Sequence, residues 1–104
     1  MGLNPVMEEV LIKTDNVSVR ILELDEGEDL PWHHHSEVTD YVFALDGKIE
    51  VQLRSPEQKV ALAPGQRYEV KSGTVHRVVN PCKRKTKYLL VQGVGKYDFN
   101  TTGS

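Results

Sequence analysis

The sequence predicts an all-β domain whose short strands fold into a barrel or a sandwich. Residues that favour turns recur about every 8 to 10 positions, the spacing typical of such domains. They are Asp15-Asn16, Gly27, Asp46-Gly47, Ser55-Pro56, Pro64-Gly65, Ser72-Gly73, Asn80-Pro81 and Gly93. The runs between them are rich in the β-branched and aromatic residues that strands favour. No stretch of about twelve residues shows the period and the caps of a helix, so we expect almost none.

Seven strands are predicted between these turns, at residues 17–24, 41–45, 48–53, 59–63, 67–70, 75–79 and 88–91. Alternation supports several of them. Ile49, Val51 and Leu53, for example, share one face, while charged and polar residues occupy the other. Asp46-Gly47 lies between two of the predicted strands and is a strong hairpin signal, because a type I′ turn needs positive φ at both central residues. Antiparallel strands in so small a domain must close on themselves or fold double to hide their edges.

Size and composition favour a single globular domain over residues 1–104. Hydrophobic residues make up 38% of the chain, and the net charge is only −2. No charge asymmetry points to nucleic acid or to a membrane surface, and no apolar run approaches the roughly 18 residues of a membrane span. One cysteine, Cys82, and no secretory signal pattern at the N-terminus favour a reducing cytoplasm. Residues 1–4 and about 98–104 lack a hydrophobic pattern and are expected to be poorly ordered.

The four histidines are the residues that point to chemistry. His33, His34 and His35 are consecutive, and His76 is the only other histidine in the chain. If the run is extended, His33 and His35 share a face and His34 points the other way. A neighbouring strand carrying His76 would complete three nitrogen ligands, and imidazole is the commonest protein ligand for a transition metal. An exposed polar loop, or histidines that line a metal-free ligand pocket, are the alternatives.

Two carboxylates follow the histidine run closely enough to be considered as a further ligand. Asp40 opens the predicted strand 41–45, so its side chain can project inward together with Val42 and Ala44. Glu37 lies two residues after His35 and would need a loop that turns back. Asp40 is therefore the better candidate.

The wider spacing resembles that of a known family. One set of residues is similar to the first cupin motif, with aspartate where the family has glutamate: Gly27, His33, His35, Asp40 and Gly47. A second set is similar to the second motif, although Lys71 stands where the family usually has proline: Gly65, Gly73, His76 and Asn80. The resemblance covers residues 27–80, and the short segment between the motifs is like that of small single-domain cupins.

The resemblance implies a double-stranded β-helix of two antiparallel sheets, with a metal at its open end. It implies that the ligands are His33, His35, Asp40 and His76, and that Asn80 is structural. Aspartate is shorter than glutamate by about 1 Å, while metal–ligand distances tolerate only about ±0.2 Å. Three arrangements stay open: the backbone at Asp40 shifts inward, Asp40 acts through water, or the site consists of histidines alone.

Imidazole and carboxylate without thiolate suit one divalent transition metal, which could be Fe, Mn, Ni, Cu, Co or Zn. The leading hypothesis is a metal-dependent enzyme, dioxygenase-like, that acts on a small organic molecule; isomerase or lyase chemistry is also within the family's range. The alternative is a non-catalytic cupin that binds a small ligand such as a sugar. No catalytic residue is assigned, since each tyrosine is better explained as a packing aromatic whose hydroxyl has a partner.

Two interaction surfaces are also considered. The basic run 83–87 is interpreted as a solvated loop between two strands rather than a nucleic-acid site, because no aromatic residues interleave its charges. Tyr41, Phe43 and Leu45 share one face of their predicted strand. Small cupins commonly pair by sheet packing, so this face is expected to form a homodimer.

Overall fold

The structure, a computed structural model, describes residues 8–101 and consists of ten β-strands joined by turns and loops. The strands are β1 (Glu8–Lys13), β2 (Val17–Leu24), β3 (His33–His34), β4 (Thr39–Asp46), β5 (Ile49–Leu53), β6 (Gln58–Leu62), β7 (Arg67–Val70), β8 (His76–Val79), β9 (Thr86–Gly93) and β10 (Asn100–Thr101). Residues 8–101 contain no helix, as the missing helical period predicted. It follows that this part of the chain has no helix long and apolar enough to span a bilayer.

The strands form two antiparallel five-stranded sheets, with the orders β1-β2-β9-β4-β7 and β10-β3-β8-β5-β6. Alternation buries one side of each sheet. The resulting core contains Leu22, Leu24, Val42, Ala44, Tyr88 and Leu90 from the first sheet and Ile49, Val51, Leu53, Leu62 and Val78 from the second. The all-β prediction is therefore confirmed, and each of the seven predicted strands agrees with an observed one to within two residues at either end. Strands β1, β3 and β10 are not among the seven, because β1 is exposed along its whole length and β3 and β10 have only two residues each.

The hairpin predicted at Asp46-Gly47 is wrong. Strand β4 pairs with β7 and β9, whereas β5 pairs with β6 and β8, so the chain passes here from one sheet to the other. Gly47 has a φ of +78°, but among the described residues Ser55 is the only non-glycine residue with positive φ, which rules out a type I′ turn. A Cβ at Gly47 would lie 2.7 Å from Thr86 Cγ2, so this corner also requires glycine for space.

Residues 98–101, which belong to the segment predicted to be poorly ordered, make specific contacts with the barrel. The Ser36 amide donates to Asp98 Oδ1 at 2.8 Å, and β10 pairs with β3. These contacts hold the segment against the barrel. The sequence gives little sign of β10, because a strand of only two residues is too short to show a period of two. The rest of that prediction, for residues 1–4 and 102–104, lies outside the described residues.

Candidate metal centre

Strands β3 and β8 bring the three predicted histidine ligands together. His33 of β3 is the register partner of His76 of β8, and His35 follows β3 by one residue. All three side chains are buried, with exposed fractions of 4% for His33, 3% for His35 and 2% for His76. His34 lies on the other face and is half-buried. The predicted alternation of the histidine run is therefore confirmed.

The carboxylate comes from the opposite sheet. Asp40 is the first inward-facing residue of β4 and is 3% exposed, as its alternation with Val42 and Ala44 predicted. Its Oδ2 lies 2.9 Å from His76 Nε2 and 3.2 Å from His35 Nε2. One ligand atom from each of His33, His35, Asp40 and His76 lies within 4.8 Å of the others. The structure thus gathers all four predicted residues at one buried point between the sheets.

Backbone carbonyls fix the orientation of all three imidazoles. The Nδ1 atoms of His33, His35 and His76 lie 2.8, 2.7 and 2.8 Å from the carbonyl oxygens of Pro31, Asp98 and Thr74, respectively. Because a carbonyl oxygen only accepts, each Nδ1 carries the hydrogen and donates it. In the neutral ring the lone pair is then on Nε2. A hydrogen bond from the ring nitrogen that does not face the metal almost always accompanies histidine ligation of a metal.

Burial and mutual contact shift the ionisation of these groups. Burial and the neighbouring charge of His76 lower the pKa of His33 to about 4. Burial alone would raise the pKa of Asp40, but hydrogen bonds from His35 and His76 hold it well below its usual range. Burial likewise opposes protonation of His35, yet its hydrogen bond to Asp40 and the charge of that carboxylate outweigh burial and raise the pKa. Asp40 therefore stays ionised although it is buried, and a buried charge is stable only beside a positively charged or hydrogen-bonding partner.

The donor set and its spacing fit a transition metal. Two ligand atoms bound at about 2.1 Å and at right angles are separated by about 3 Å. The two distances from Asp40 Oδ2 to imidazole nitrogens, 2.9 and 3.2 Å, are close to that value. Asp40 Oδ2 therefore lies within hydrogen-bond distance of His35 and His76 despite the shorter side chain of aspartate. Glu37, the other candidate, lies elsewhere and accepts a hydrogen bond from the Lys96 amide at 2.9 Å.

Gln92 is a residue of the site that the sequence analysis missed. It is 2% exposed on β9, and its Nε2 donates to Asp40 Oδ1 at 3.0 Å. Its Oε1 accepts from Arg20 Nη2 at 2.6 Å, and Arg20 Nη1 pairs with Glu8. The signal was present, since Gln92 continues the inward alternation of Tyr88 and Leu90 and is a polar residue at a core position. The amide thus orients the carboxylate of Asp40.

The C-terminal strap, residues 97–101, is the second feature that the sequence analysis missed. The Phe99 ring stacks on His33 with centroids 4.4 Å apart and planes at 15°, and the Tyr97 ring lies 5.4 Å from His35. Between them, the Asp98 carbonyl accepts the His35 hydrogen bond. Two aromatic residues in alternation were the available sign that this segment packs as extended chain. The strap therefore packs directly against His33 and His35.

Asn80 and Tyr88, which the sequence analysis also considered, are both buried. Asn80 is buried and donates through Nδ2 to the carbonyls of Leu24 and Arg84, so its structural role is confirmed. Tyr88 packs in the core as expected, but among residues 8–101 its buried hydroxyl has no hydrogen-bond partner, contrary to the expectation. The interior of the barrel therefore contains a free hydroxyl near the candidate metal centre.

Ion pairs tie the basic run 83–87 to the barrel. Arg84 Nη2 lies 3.0 Å from Asp46 Oδ1, and Lys87 Nζ lies 3.4 Å from Glu23 Oε2. The run is a loop only over residues 83–85, because Thr86, which is buried, and Lys87 belong to β9; that it does not bind nucleic acid stays a prediction.

Two antiparallel sheets that enclose a buried histidine and carboxylate cluster define a double-stranded β-helix protein with a possible metal centre. The model of the family described as cupin domain matches residues 20–92, and the chain belongs to the cupin family. No curated protein matches the chain.

Solved structures show the same fold at low identity. A conserved protein with a double-stranded β-helix domain from Klebsiella pneumoniae has a TM-score of 0.82 at 19% identity, over 95% of this chain and 80% of that one. A cupin superfamily protein from Desulfitobacterium hafniense gives 0.76 at 22% identity, over 88% and 80%. Oxalate oxidase in complex with the substrate analogue glycolate gives 0.81 at 15% identity, over 95% of this chain and 56% of the longer one. The predicted double-stranded β-helix is therefore confirmed.

Proposed function

We propose that this protein is a metal-dependent cupin enzyme of the dioxygenase-like class, with His33, His35, His76 and Asp40 as ligands of one divalent transition metal. The observation that carries the proposal is the buried convergence of these four side chains, with every histidine held by a backbone carbonyl. A cluster with only a structural role would not require all three imidazoles to be held in fixed orientations around one carboxylate. Such second-layer hydrogen bonds are what a metal site requires.

The donor set restricts the metal without selecting one. Nitrogen and carboxylate oxygen suit Fe, Mn, Ni, Cu, Co and Zn, and the one cysteine takes no part, since Cys82 Sγ lies 3.6 Å from the Lys48 carbonyl. A redox-active ion would supply O₂ chemistry here, whereas zinc or nickel would supply Lewis-acid chemistry.

The chain itself provides a small cavity for a substrate. A cavity of about 150 Å³ adjoins the four ligands and has mostly apolar walls, among them Leu22, Leu30 and Leu90. A cavity of roughly this volume accommodates a molecule the size of benzene. The apolar walls and the Phe99 ring exclude water from the ligands. Both the volume and the walls favour a small organic molecule over the alternative ligand, a sugar, which would need many polar partners.

The proposal is tested by metal analysis and by oxygen uptake. Protein purified without a nickel column is expected to contain bound transition metal, and His33→Gln is expected to lose it. His34→Gln is the matched control, because His34 lies on the other face of the same strand. Less than about a tenth of an equivalent of metal, with no rebinding after dialysis, would contradict the metal centre.

Oxygen consumption then tests the reaction class. A dioxygenase places both atoms of O₂ in its product, so a library of small organic molecules should reveal one that consumes one O₂ per product without an added reductant. Tight binding of a ligand without turnover would instead support the non-catalytic binding module.

We also propose that the protein is a homodimer formed by the outer face of the first sheet. Register places Val91 between Val19 and Tyr41, and Leu89 between Ile21 and Phe43. These outward side chains are half-buried, and Leu45 beside them is 43% exposed. Contiguous apolar side chains on an outer sheet face are typical of an interaction surface. The face named in the sequence analysis, Tyr41, Phe43 and Leu45, is part of it.

A further inference from the structure

The cavity beside the metal ligands contains hydrogen-bond donors that no other group in the described chain satisfies. Tyr88 is fully buried and lines this cavity, and its hydroxyl has no partner among residues 8–101. Arg20 also lines the cavity; its Nη1 pairs with Glu8 and its Nη2 with Gln92, but its buried Nε has no partner in the same part of the chain. Buried polar groups without partners are rare and costly, so each one needs an explanation.

The two donors lie near each other on the wall of the first sheet. Arg20 is the register partner of Leu90, and Tyr88 is two residues before Leu90 on the same face of β9. Diagonal neighbours of this kind are within reach of long and aromatic side chains. Burial raises the pKa of Tyr88, so the hydroxyl keeps its proton and can donate. A single ligand oxygen group can therefore meet both donors.

Charge at the site favours an anion. The carboxylate of Glu8 offsets the guanidinium of Arg20, with which it pairs. A divalent ion on the histidines outweighs the single negative charge of Asp40, and the ion's own charge must be counted. The loaded site is then left with a net positive charge. The remaining walls, which include Leu22, Leu30, Val78 and Leu90, are apolar and suit a hydrocarbon body.

We propose that the cavity binds a small monocarboxylate with a short hydrocarbon body, whose carboxylate accepts hydrogen bonds from Tyr88 Oη and Arg20 Nε while the body lies against the leucines. This inference rests on the proposed function, because the metal ion supplies the net positive charge. It makes Tyr88 and Arg20 the residues that determine specificity.

Calorimetric titration of the zinc-loaded protein with isobutyrate tests the proposal, since Zn²⁺ is redox-silent and isobutyrate fits a cavity of this size. Isobutyrate should bind at least about tenfold more tightly than isobutyramide, its neutral isostere. Tyr88→Phe should weaken isobutyrate binding by about 10- to 100-fold, the range for a hydrogen bond to a charged group. Tyr41→Phe, on the outer face of the same sheet, is the matched control and should leave binding unchanged.

A second readout separates a ligand-binding hydroxyl from a structural one. Without ligand, Tyr88→Phe should melt at the same temperature as the wild type or higher, because it removes an unpartnered buried hydroxyl. A marked loss of thermal stability would mean that the hydroxyl has a structural partner and would overturn the proposal. If Tyr88→Phe fails to fold, Arg20→Lys is the second variant. It keeps the positive charge but lacks Nε, and it should also weaken isobutyrate binding.

Zinc affinity, measured separately by competition with a chromophoric chelator, distinguishes the two failures. If wild-type protein does not bind zinc, the proposed function fails. If zinc binds but isobutyrate does not, or binds equally to wild type and Tyr88→Phe, only the carboxylate proposal is overturned. Equal affinity for isobutyrate and isobutyramide would likewise overturn it.

Discussion

At the scale of single residues, Asp40 is directed inward and oriented by its neighbours. Strand β4 pairs with β9 through Asp40 and Gln92, and both side chains are buried. The amide of Gln92 then holds Asp40 Oδ1, which leaves Oδ2 facing the imidazoles. Arg20 fixes that amide in turn. The carboxylate is thus oriented from behind by a chain of hydrogen bonds.

Loss of the Gln92 amide should therefore weaken metal binding without removing a ligand. We expect Gln92→Leu to reduce the affinity for Zn²⁺ by about 10- to 100-fold, the usual effect of losing a partner of a ligating group. Competition with a chelator measures this affinity. Gln52→Leu, which alters a half-buried glutamine on the outer side of the second sheet, is the control. Equal zinc affinities for the two variants would show that Gln92 does not orient Asp40.

His33 should make the stability of the metal-free protein depend on pH in a defined window. Its pKa is about 4 when folded and 6.5 in the reference state. Between these values the unfolded chain binds a proton at His33 that the folded chain does not, so stability falls as pH falls. The difference amounts to at most about 3 kcal/mol. Urea unfolding of chelator-treated protein from pH 7 to 4 should show this decline.

The pKa shifts of His35 and Asp40 affect stability outside the range from pH 4 to 6.5. The raised pKa of His35 contributes stability that is complete below 6.5 and is lost as pH rises through the folded value. The depressed pKa of Asp40 contributes stability that is present above 3.8 and is lost at lower pH. His33→Gln should therefore flatten the decline between pH 6.5 and 4. An unchanged slope in this variant would contradict the assignment to His33.

At the scale of elements, the Asp46-Gly47 turn and the C-terminal strap both depend on contacts that the local sequence does not show. The Asp46-Gly47 turn has the composition of a hairpin, but β4 and β5 each find partners in a different sheet. The turn residues do not determine whether β4 pairs with β5 or lies in a different sheet. The free-energy difference between these two arrangements comes from burying the inner faces of both strands. The C-terminal strap was predicted to be poorly ordered from residue 98 onward because that segment lacks a hydrophobic pattern. Its contacts are with residues distant in sequence, such as that of Asp98 with His35, and a local pattern does not show them.

The strap should slow the loss of metal. We expect Phe99→Ala to accelerate chelator-induced release of Zn²⁺ several-fold, because the ring that stacks on His33 limits access of water and chelator. Stopped-flow absorbance with a chromophoric chelator measures this rate. Val94→Ala, at a residue 74% exposed just before the strap, is the control and should release zinc at the wild-type rate. Identical rates for all three proteins would mean that the strap does not cover the site.

At the scale of the whole molecule, the first sheet carries apolar residues on both sides. Its inner face forms half of the core, and its outer face contains the half-buried residues Val19, Ile21, Tyr41, Phe43, Leu89 and Val91. The outer side of the second sheet is polar by contrast, with Gln52 bonded to Glu50 and Arg77. Within residues 8–101, the outer face of the first sheet is therefore the better candidate surface for a second copy.

Light scattering should accordingly find dimers of the wild-type protein. A stable interface buries about 800 Å² per partner, and a charge at its centre is costly to desolvate. Phe43→Lys is therefore expected to produce monomers, whereas Gln52→Lys on the second sheet should leave the dimer intact. Wild-type protein that remains monomeric at every concentration would rule out this interface.

The sequence by itself determined the strand pattern, the burial of His33 and His35 on one face, and the two motifs that contain the four candidate ligands. These features follow from period-2 alternation, turn residues and spacing, which are local properties of the chain. Tertiary structure alone decided that β4 and β5 belong to different sheets, that Gln92 and the strap lie against the candidate ligands, and that donors of Tyr88 and Arg20 at the cavity have no partner among residues 8–101. Each of these depends on contacts between residues distant in sequence, whose free energy arises from packing and desolvation in the closed barrel. Alternation marks Gln92 as inward-facing and the strap as extended, but it does not show which residues they contact.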